Sequence, residues 1–248
     1  MVVLAARRMD RLTALAEEIR ASGGEAFAIS LDVTEQAQIE EVVQTILDRF
    51  GRVDVLFNNA GCGRLDWFEN LDPASDIDTL INVNLRGLIQ MTRAILPSML
   101  ARRAGTIINM SSVAGRIAAP LYTLYAATKY GVRGFTDALR RELDPFDIHV
   151  CGIYPGPATT EFGQHSGANP VRSNLAVFDP LSMTSSAVAR RVVGLAKHPR
   201  PSLVIPWWFQ PILSFEHHFP GLVDWFLKLV FVRRFHRLEG QDPPQITE

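Results

Sequence analysis

The chain has 248 residues, of which 47% are hydrophobic and 21% are charged, and its net charge is −1. This length and composition are typical of one globular domain with a sizeable core, and the charge offers no basic field for nucleic acid. The two cysteines, Cys62 and Cys151, predict neither a disulfide framework nor a metal site, and they are compatible with a cytoplasmic location. The sequence contains no stretch of about 18 uncharged apolar residues, so no membrane-spanning helix is predicted.

Strand and helix patterns alternate along residues 1–205. Short apolar runs predict strands at 2–6, 25–32, 54–58, 106–110, 149–154 and 203–205. Amphipathic segments predict helices at 10–21, 35–50, 80–101, 125–143 and 185–197, the third bent or broken near Pro97. Strands that alternate with helices at this spacing predict an α/β fold with a doubly wound parallel sheet.

Tyr125 and Lys129 are four residues apart on the helix predicted at 125–143, so their side chains share one face. An ammonium near a phenol favours the phenolate, so Lys129 is predicted to lower the pKa of Tyr125. A tyrosine tuned in this way can pass a proton to or from an alcohol oxygen. Ser112 follows the strand predicted at 106–110, and its hydroxyl could donate to the same oxygen. The alternative is a surface pair on an amphipathic helix.

The order of an apolar strand, Ser112, a small-residue loop and Y-A-A-T-K resembles the classical short-chain dehydrogenases/reductases, which have a Rossmann-like fold. N-N-A-G at 58–61, N-V-N-L at 82–85 and P-G-x-x-x-T at 155–160 match the same family in the same order. The resemblance implies an oxidoreductase that interconverts an apolar secondary alcohol and its ketone or aldehyde. Tyr125 would be its acid and base, and Lys129 would lower the tyrosine pKa and hold the nicotinamide ribose. Ser112 would polarise the carbonyl, and Asn84 would hold a water for proton resupply.

The resemblance also implies the residues that bind the cofactor. Arg7 and Arg8 end the first strand where relatives that use NAD(H) tend to have an acidic residue, which favours NADP(H). Asp32 and Val33 would contact the adenine. The other implied contacts are Asn59, Ala60, Gly61, Tyr125, Lys129, Pro155, Gly156, Ala158 and Thr160. Each of these motifs also has a plain interpretation as an ordinary turn or as solvated charges.

One motif of that family is missing, because the sequence contains neither G-x-x-x-G-x-G nor G-x-G-x-x-G. The strand at 2–6 resembles the second strand of the family, so the first is expected to be absent, leaving open edges beside the strands at 2–6 and 54–58. We expect either a fragment or a genuine shortened form, with weak or no dinucleotide binding. The alternative function is a non-catalytic binding or regulatory protein.

Residues 206–248 differ in composition from residues 1–205 and are predicted to form an apolar helical extension. Asp224 and Lys228 interrupt its apolar pattern, and a basic cluster follows at Arg233, Arg234 and Arg237. Such a pattern is typical of a helix at a membrane interface, here 206–237. The alternative is a helix packed on the body that closes the substrate pocket or forms a dimer contact.

Two further expectations concern the partners and the moving parts. The polar segment 158–180 is predicted to be a mobile lid over a small apolar substrate. The resemblance implies a homodimer or homotetramer by analogy alone. His217 and His218 are adjacent and have no third ligand nearby in the sequence, so no metal site is predicted.

Overall fold

The computed structural model describes residues 1–159 and 182–229. Within these ranges the strands are β1 Val2–Ala6, β2 Ala26–Ser30, β3 Val55–Asn58, β4 Gly105–Met110, β5 Ile148–Pro155, β6 Ala158–Thr159, β7 Met183–Thr184 and β8 Ser202–Ile205. The α-helices are α1 Met9–Ala21, α2 Gln36–Phe50, α3 Thr79–Ile81, α4 Gly87–Arg102, α5 Thr123–Leu143, α6 Ser185–Lys197, α7 Phe209–His218 and α8 Pro220–Leu227. All predicted strands and helices are confirmed, most with ends shifted by a residue or two.

α4 runs as one α-helix from Gly87 to Arg102 with Pro97 inside it, so a break near Pro97 is wrong, while the alternative of a bend there stays a prediction. Ile95 and Met99, on either side of the proline, are almost fully buried, so this part of the helix is packed into the core. The irregular helical geometry lies before α4 instead. Two π-helical segments, Pro73–Asp78 and Asn82–Arg86, flank the single turn of α3.

All paired strands are parallel, and they form two separate main sheets. One sheet has the order β3-β4-β5-β8, and the other contains β1 and β2. In the described part of the chain, β1 therefore pairs only with β2, and β3 pairs only with β4. The expected open edges on β1 and β3 are present, while the reason for the gap between them stays a prediction.

Helices cover both faces of the four-stranded sheet. Neighbouring residues of one strand therefore belong to different hydrophobic clusters. Ile107 and Val150 belong to a cluster with side chains of α2, α4 and α5. Ile108 and Cys151 belong to a second cluster, which packs under α6. Strands that are apolar on both faces are expected in a parallel α/β fold. The Rossmann-like α/β fold predicted from the sequence is confirmed.

The described part of the C-terminal extension is helical, with α7 and α8 following β8 directly. Leu213 of α7 is buried against Tyr154 and Val204, so α7 is anchored on β5 and β8. No helix among residues 1–159 and 182–229 has the length and apolar character needed to cross a bilayer. The predicted lid lies outside the described residues, except for Ala158 and Thr159 in β6.

Candidate active site

Ser112 lies where the carboxyl ends of β4 and β5 meet. It follows β4 directly and caps the 3-10 turn Val113–Gly115, its hydroxyl oxygen accepting the backbone N–H of Ala114 at 3.1 Å. The same hydroxyl donates to the carbonyl of Pro155 at 3.4 Å, so the turn after β5 lies beside it. The Ser112 hydroxyl also lies near that of Tyr125, whose pKa it acts to lower. Ser112 therefore joins β4, β5 and α5 at one edge of the sheet.

The helix α5 presents Tyr125 and Lys129 to this edge from one face, as their spacing predicts. Both side chains are buried, with 8% and 3% exposure. The ammonium of Lys129 lies 5.6 Å from the centroid of the Tyr125 ring and donates to the carbonyl of Met110 at 3.0 Å. Ser112, Tyr125 and Lys129 therefore share one space at the end of β4.

Burial dominates the titration of both α5 residues. It raises the pKa of Tyr125 to about 12, although the hydrogen bond with Ser112 acts in the opposite direction. Burial also lowers the pKa of Lys129 to about 8. The predicted lowering of the Tyr125 pKa by Lys129 is wrong for this structure, because desolvation of the phenolate dominates and Lys129 is not among the groups that shift this pKa. Tyr125 is therefore protonated at neutral pH.

Asn84 lies in the π-helical segment Asn82–Arg86 and is almost fully buried. Its side-chain carbonyl accepts the N–H of Cys62 at 2.8 Å, and its amide donates to the carbonyl of Cys62 at 2.9 Å. The amide also reaches the hydroxyl of Thr128 on α5, at 3.2 Å. Asn84 thus ties the loop after β3 to the helix of Tyr125, while its predicted role of holding a water stays a prediction.

A buried polar network that the sequence analysis missed supports this arrangement. Asn58 donates to Thr92 at 3.0 Å and to Asn109 at 2.9 Å, and Asn109 donates to Thr136 at 2.9 Å. These bonds connect β3, α4, β4 and α5. The sequence does contain a signal for this network. Asn58 and Asn109 are polar residues near the ends of two apolar strands, and Thr92 and Thr136 occupy inward positions of the helices that pack on them. The network holds α5 in register with the strand that ends at Ser112.

The predicted cofactor-binding residues that follow β3 lie near the same edge of the four-stranded sheet. Asn59, Ala60 and Gly61 are exposed at the carboxyl end of β3. A Cβ atom added to Gly61 would lie 3.3 Å from the side-chain carbonyl of Asn84 and 3.6 Å from the Lys129 ammonium. The backbone of Gly61 therefore lies directly beside the side chains of Asn84 and Lys129. Ala158 lies in β6, and Thr160 lies outside the described residues.

Arg7 and Asp32 stand at the carboxyl ends of β1 and β2. The Arg7 side chain is 75% exposed, and its guanidinium lies 4.0 Å from the carboxylate of Asp32. Burial acts to raise the pKa of Asp32, but hydrogen bonds from Thr34 and the charge of Arg7 outweigh it, so that this pKa is lowered. Arg8 is exposed, and Val33 is half-buried. The structure thus leaves the arginine charge accessible at this end of the site.

A parallel α/β sheet with a serine, a tyrosine and a lysine at its carboxyl edge defines a class of oxidoreductases with a Rossmann-like fold. The family model described as short chain dehydrogenase matches residues 1–170. The chain belongs to the short-chain dehydrogenase/reductase family.

The relatives and solved structures similar to this chain support the same assignment. A 3-oxoacyl-[acyl-carrier-protein] reductase of Synechocystis sp. is 36% identical over 171 residues, covering 69% of both chains. A short chain dehydrogenase/reductase from Burkholderia phymatum in complex with NAD has a TM-score of 0.79 and 26% identity, covering 89% of this chain and 85% of its own. An alcohol dehydrogenase from Thermococcus sibiricus, complexed with 5-hydroxy-NADP, has a TM-score of 0.72 and 28% identity, covering 82% and 84%.

Proposed function

We propose that this site interconverts an apolar secondary alcohol and its ketone or aldehyde, with NADP(H) as the cofactor. The observation that carries the proposal is that Ser112, Tyr125 and Lys129 meet at the end of β4, with both α5 side chains buried and the Lys129 ammonium 5.6 Å from the tyrosine ring. Two hydroxyls that face the same space at the carboxyl edge of a sheet can both contact one substrate oxygen. The relatives named as an oxoacyl reductase and an alcohol dehydrogenase support this reaction type.

The proton chemistry follows from the states of the three side chains. In the direction of reduction, Ser112 donates a hydrogen bond to the carbonyl oxygen, and Tyr125 donates the proton. A tyrosine with a pKa of about 12 carries that proton at neutral pH. Lys129, with a pKa of about 8, is mostly charged at pH 7 and stabilises the phenolate that remains. When bound, the nicotinamide supplies or accepts the hydride.

The residues present fit one half of a dinucleotide better than the other. At Gly61 the absence of a side chain leaves backbone exposed next to Lys129, and the Pro155–Gly156 turn stands beside Ser112, which suits the nicotinamide and its ribose. The pyrophosphate half has no glycine-rich turn in the sequence to receive it. We therefore propose that this chain binds the dinucleotide weakly. Titration calorimetry with NADPH that gave micromolar affinity would contradict this.

Arg7 supports NADP(H) over NAD(H). Its exposed ion pair with Asp32, at 4.0 Å, is worth about 0–1 kcal/mol, so a 2′-phosphate can replace the carboxylate at little cost. The variant Arg7→Asp should shift the ratio of the NADPH- and NADH-dependent rates towards NADH. Arg141→Asp, at an exposed position of α5, is the control. An unchanged ratio in Arg7→Asp would contradict the preference.

The activity itself is tested at millimolar NADPH by measuring, by gas chromatography, the alcohols formed from a series of apolar ketones. Tyr125→Phe should lower the rate about 10²-fold or more, because the proton donor is lost. Tyr130→Phe is the matched control, since Tyr130 lies on the same helix but is 38% exposed. Turnover retained by Tyr125→Phe would exclude the proposed role of the tyrosine.

A non-catalytic binding protein is the second candidate, and the open edges of β1 and β3 favour it. Val55 and Phe57 of β3 are 41% and 37% exposed, which is unusual for a strand in a sheet covered on both faces. The ketone assay separates the two candidates, because turnover of any ketone in the series would exclude the non-catalytic one.

Assembly and location are also proposals. By analogy with the family, we propose a homodimer or homotetramer formed through α5. A side chain added at Gly134 would meet open space, which supports an accessible outer face on this helix. Light scattering would test the assembly. The two free cysteines, Cys62 and Cys151, are compatible with the reducing cytoplasm.

A further inference from the structure

A single 3-10 turn connects Ser112 to Arg116. At the start of the turn, the Ser112 hydroxyl donates to the carbonyl of Pro155 at 3.4 Å and accepts the N–H of Ala114 at 3.1 Å. At its end, the backbone N–H of Arg116 donates to the carbonyl of Val113 at 2.9 Å. Because the turn is so short, the position of the serine hydroxyl depends on what fixes Arg116.

Two strands of the sheet hold the side chain of Arg116. Its guanidinium carbon lies 4.2 Å from the centroid of the Tyr154 ring on β5, and an N–H of the guanidinium donates to the hydroxyl of Ser202 on β8. Tyr154 is completely buried, and a contact between a cation and an aromatic ring is stronger where water is excluded. We name these contacts of Arg116 with Tyr154 and Ser202 the arginine clamp.

The arginine clamp and the Ser112 hydroxyl are held by the same strand end. Tyr154 lies under the guanidinium, and the next residue, Pro155, accepts the hydrogen bond from Ser112. The end of β5 therefore contacts the turn at both of its ends. The clamp thus fixes the turn relative to the strand that, together with β4, forms the edge of the candidate active site.

The surroundings of Arg116 are otherwise apolar. Val113 and Ile117, before and after it in the chain, pack against a buried cluster that includes Tyr154 and Leu213 of α7. The Nε atom of Arg116 is buried and has no hydrogen-bond partner among residues 1–159 and 182–229. A buried N–H without a partner opposes folding, which offsets part of what the ring and the serine contribute. We therefore expect the arginine to matter more for the geometry of the turn than for the stability of the whole protein.

We propose that Arg116 is a positioning residue of the candidate active site. The arginine clamp holds the turn against α5 and thereby sets where the Ser112 hydroxyl meets the substrate oxygen. The turn has no space to move closer to α5, because a Cβ atom on Gly115 would lie 2.6 Å from the carbonyl oxygen of Lys129. This role rests on the proposed function, since it concerns the hydroxyl that polarises the carbonyl.

Hydrogen exchange of individual backbone amides, measured by NMR on the whole chain, tests the clamp without any turnover. Arg116→Met keeps an unbranched side chain and removes the guanidinium. We expect the amides of Ala114 and Ile117 to exchange about tenfold faster than in the wild-type chain, because the turn opens locally. Arg103→Met is the matched control. The Arg103 guanidinium also lies over a ring, 5.5 Å from the centroid of Phe146, but at the amino end of β4.

The rate of ketone reduction tests whether the clamp acts through Ser112. We compare kcat at millimolar NADPH for the wild-type chain, Arg116→Met, Ser112→Ala and the double variant. Arg116→Met should lower kcat about tenfold when the Ser112 hydroxyl is present, because a misplaced donor stabilises the transition state less. It should have no further effect in Ser112→Ala, where that hydroxyl is gone. A general loss of stability would instead lower kcat in both backgrounds.

Two outcomes would overturn the proposal. The first is exchange at Ala114 that Arg116→Met changes no more than Arg103→Met does. The second is an equal fall in kcat with and without the Ser112 hydroxyl. A wild-type chain without turnover would contradict the proposed function instead, and exchange at Ala114 would then decide alone whether Arg116 fixes the turn. Circular dichroism of each variant establishes that it is folded.

Discussion

Replacing Lys129 by methionine should make the protein more stable near neutral pH, even though it removes a residue with a predicted catalytic role. Lys129 is 3% exposed, and burial lowers its pKa from 10.5 to about 8. Each pKa unit corresponds to about 1.4 kcal/mol, so the buried ammonium costs about 3 kcal/mol at pH 7. Methionine keeps the aliphatic volume without the charge. It also leaves the carbonyl of Met110 without the lysine donor, at a cost of about 1–3 kcal/mol.

The pH dependence separates the two contributions. Below about pH 8 the native and the unfolded chain both hold the proton on Lys129, and the full cost of the buried charge applies. Between about pH 8 and pH 10.5 the unfolded state binds more protons, so the wild-type chain gains stability as the pH rises. Methionine does not titrate. The stability advantage of Lys129→Met should therefore shrink by about 2 kcal/mol between pH 7 and pH 10.

Urea unfolding followed by circular dichroism, at both pH values, measures this difference. Lys197→Met is the matched control, because Lys197 is exposed on α6. A difference between Lys129→Met and wild type that did not change with pH would refute the reasoning, since the lysine would then carry no buried charge.

The other predictions concern the packing around the site. Asn109→Leu should destabilise the protein by about 2–4 kcal/mol in urea unfolding, because it leaves Thr136 and an amide of Asn58 with fewer partners; an effect within experimental error would contradict this. Gly115→Ala should cost about 1–3 kcal/mol, since its Cβ atom would lie 2.6 Å from the Lys129 carbonyl oxygen. Gly134→Ala, within α5 and facing open space, should instead stabilise by up to about 1 kcal/mol, and equal effects of the two alanines would show that contact with Lys129 does not matter.

The regular elements could be predicted because local signals determine them. The apolar run of β1 and the amphipathic pattern of α6 were predicted with the bounds that the structure has. The spacing of Tyr125 and Lys129 placed them on one face of α5, and the structure brings Ser112 to them. The continuation of α4 through Pro97 was not predictable in this way, because tertiary packing, here of the buried Ile95 and Met99, is not visible in the local preference of proline.

The electrostatics of the site could not be derived from spacing. The distance between Tyr125 and Lys129 along the chain predicts a neighbouring charge, but it does not reveal that both side chains are almost fully buried. Desolvation therefore reverses the expected direction of the tyrosine pKa. The threonines that hold Asn84, Asn58 and Asn109 were missed for a similar reason, since a buried hydrogen bond depends on which helix face meets which strand.

A double-mutant cycle on ketone reduction tests most directly whether Ser112 and Tyr125 act on one oxygen. The rates of the wild-type chain, Ser112→Ala, Tyr125→Phe and the double variant are compared at saturating NADPH. If both hydroxyls contact the same oxygen, the double variant should be much less impaired than the product of the two single losses. Losses that multiply in full, or a wild-type chain without turnover, would contradict the account.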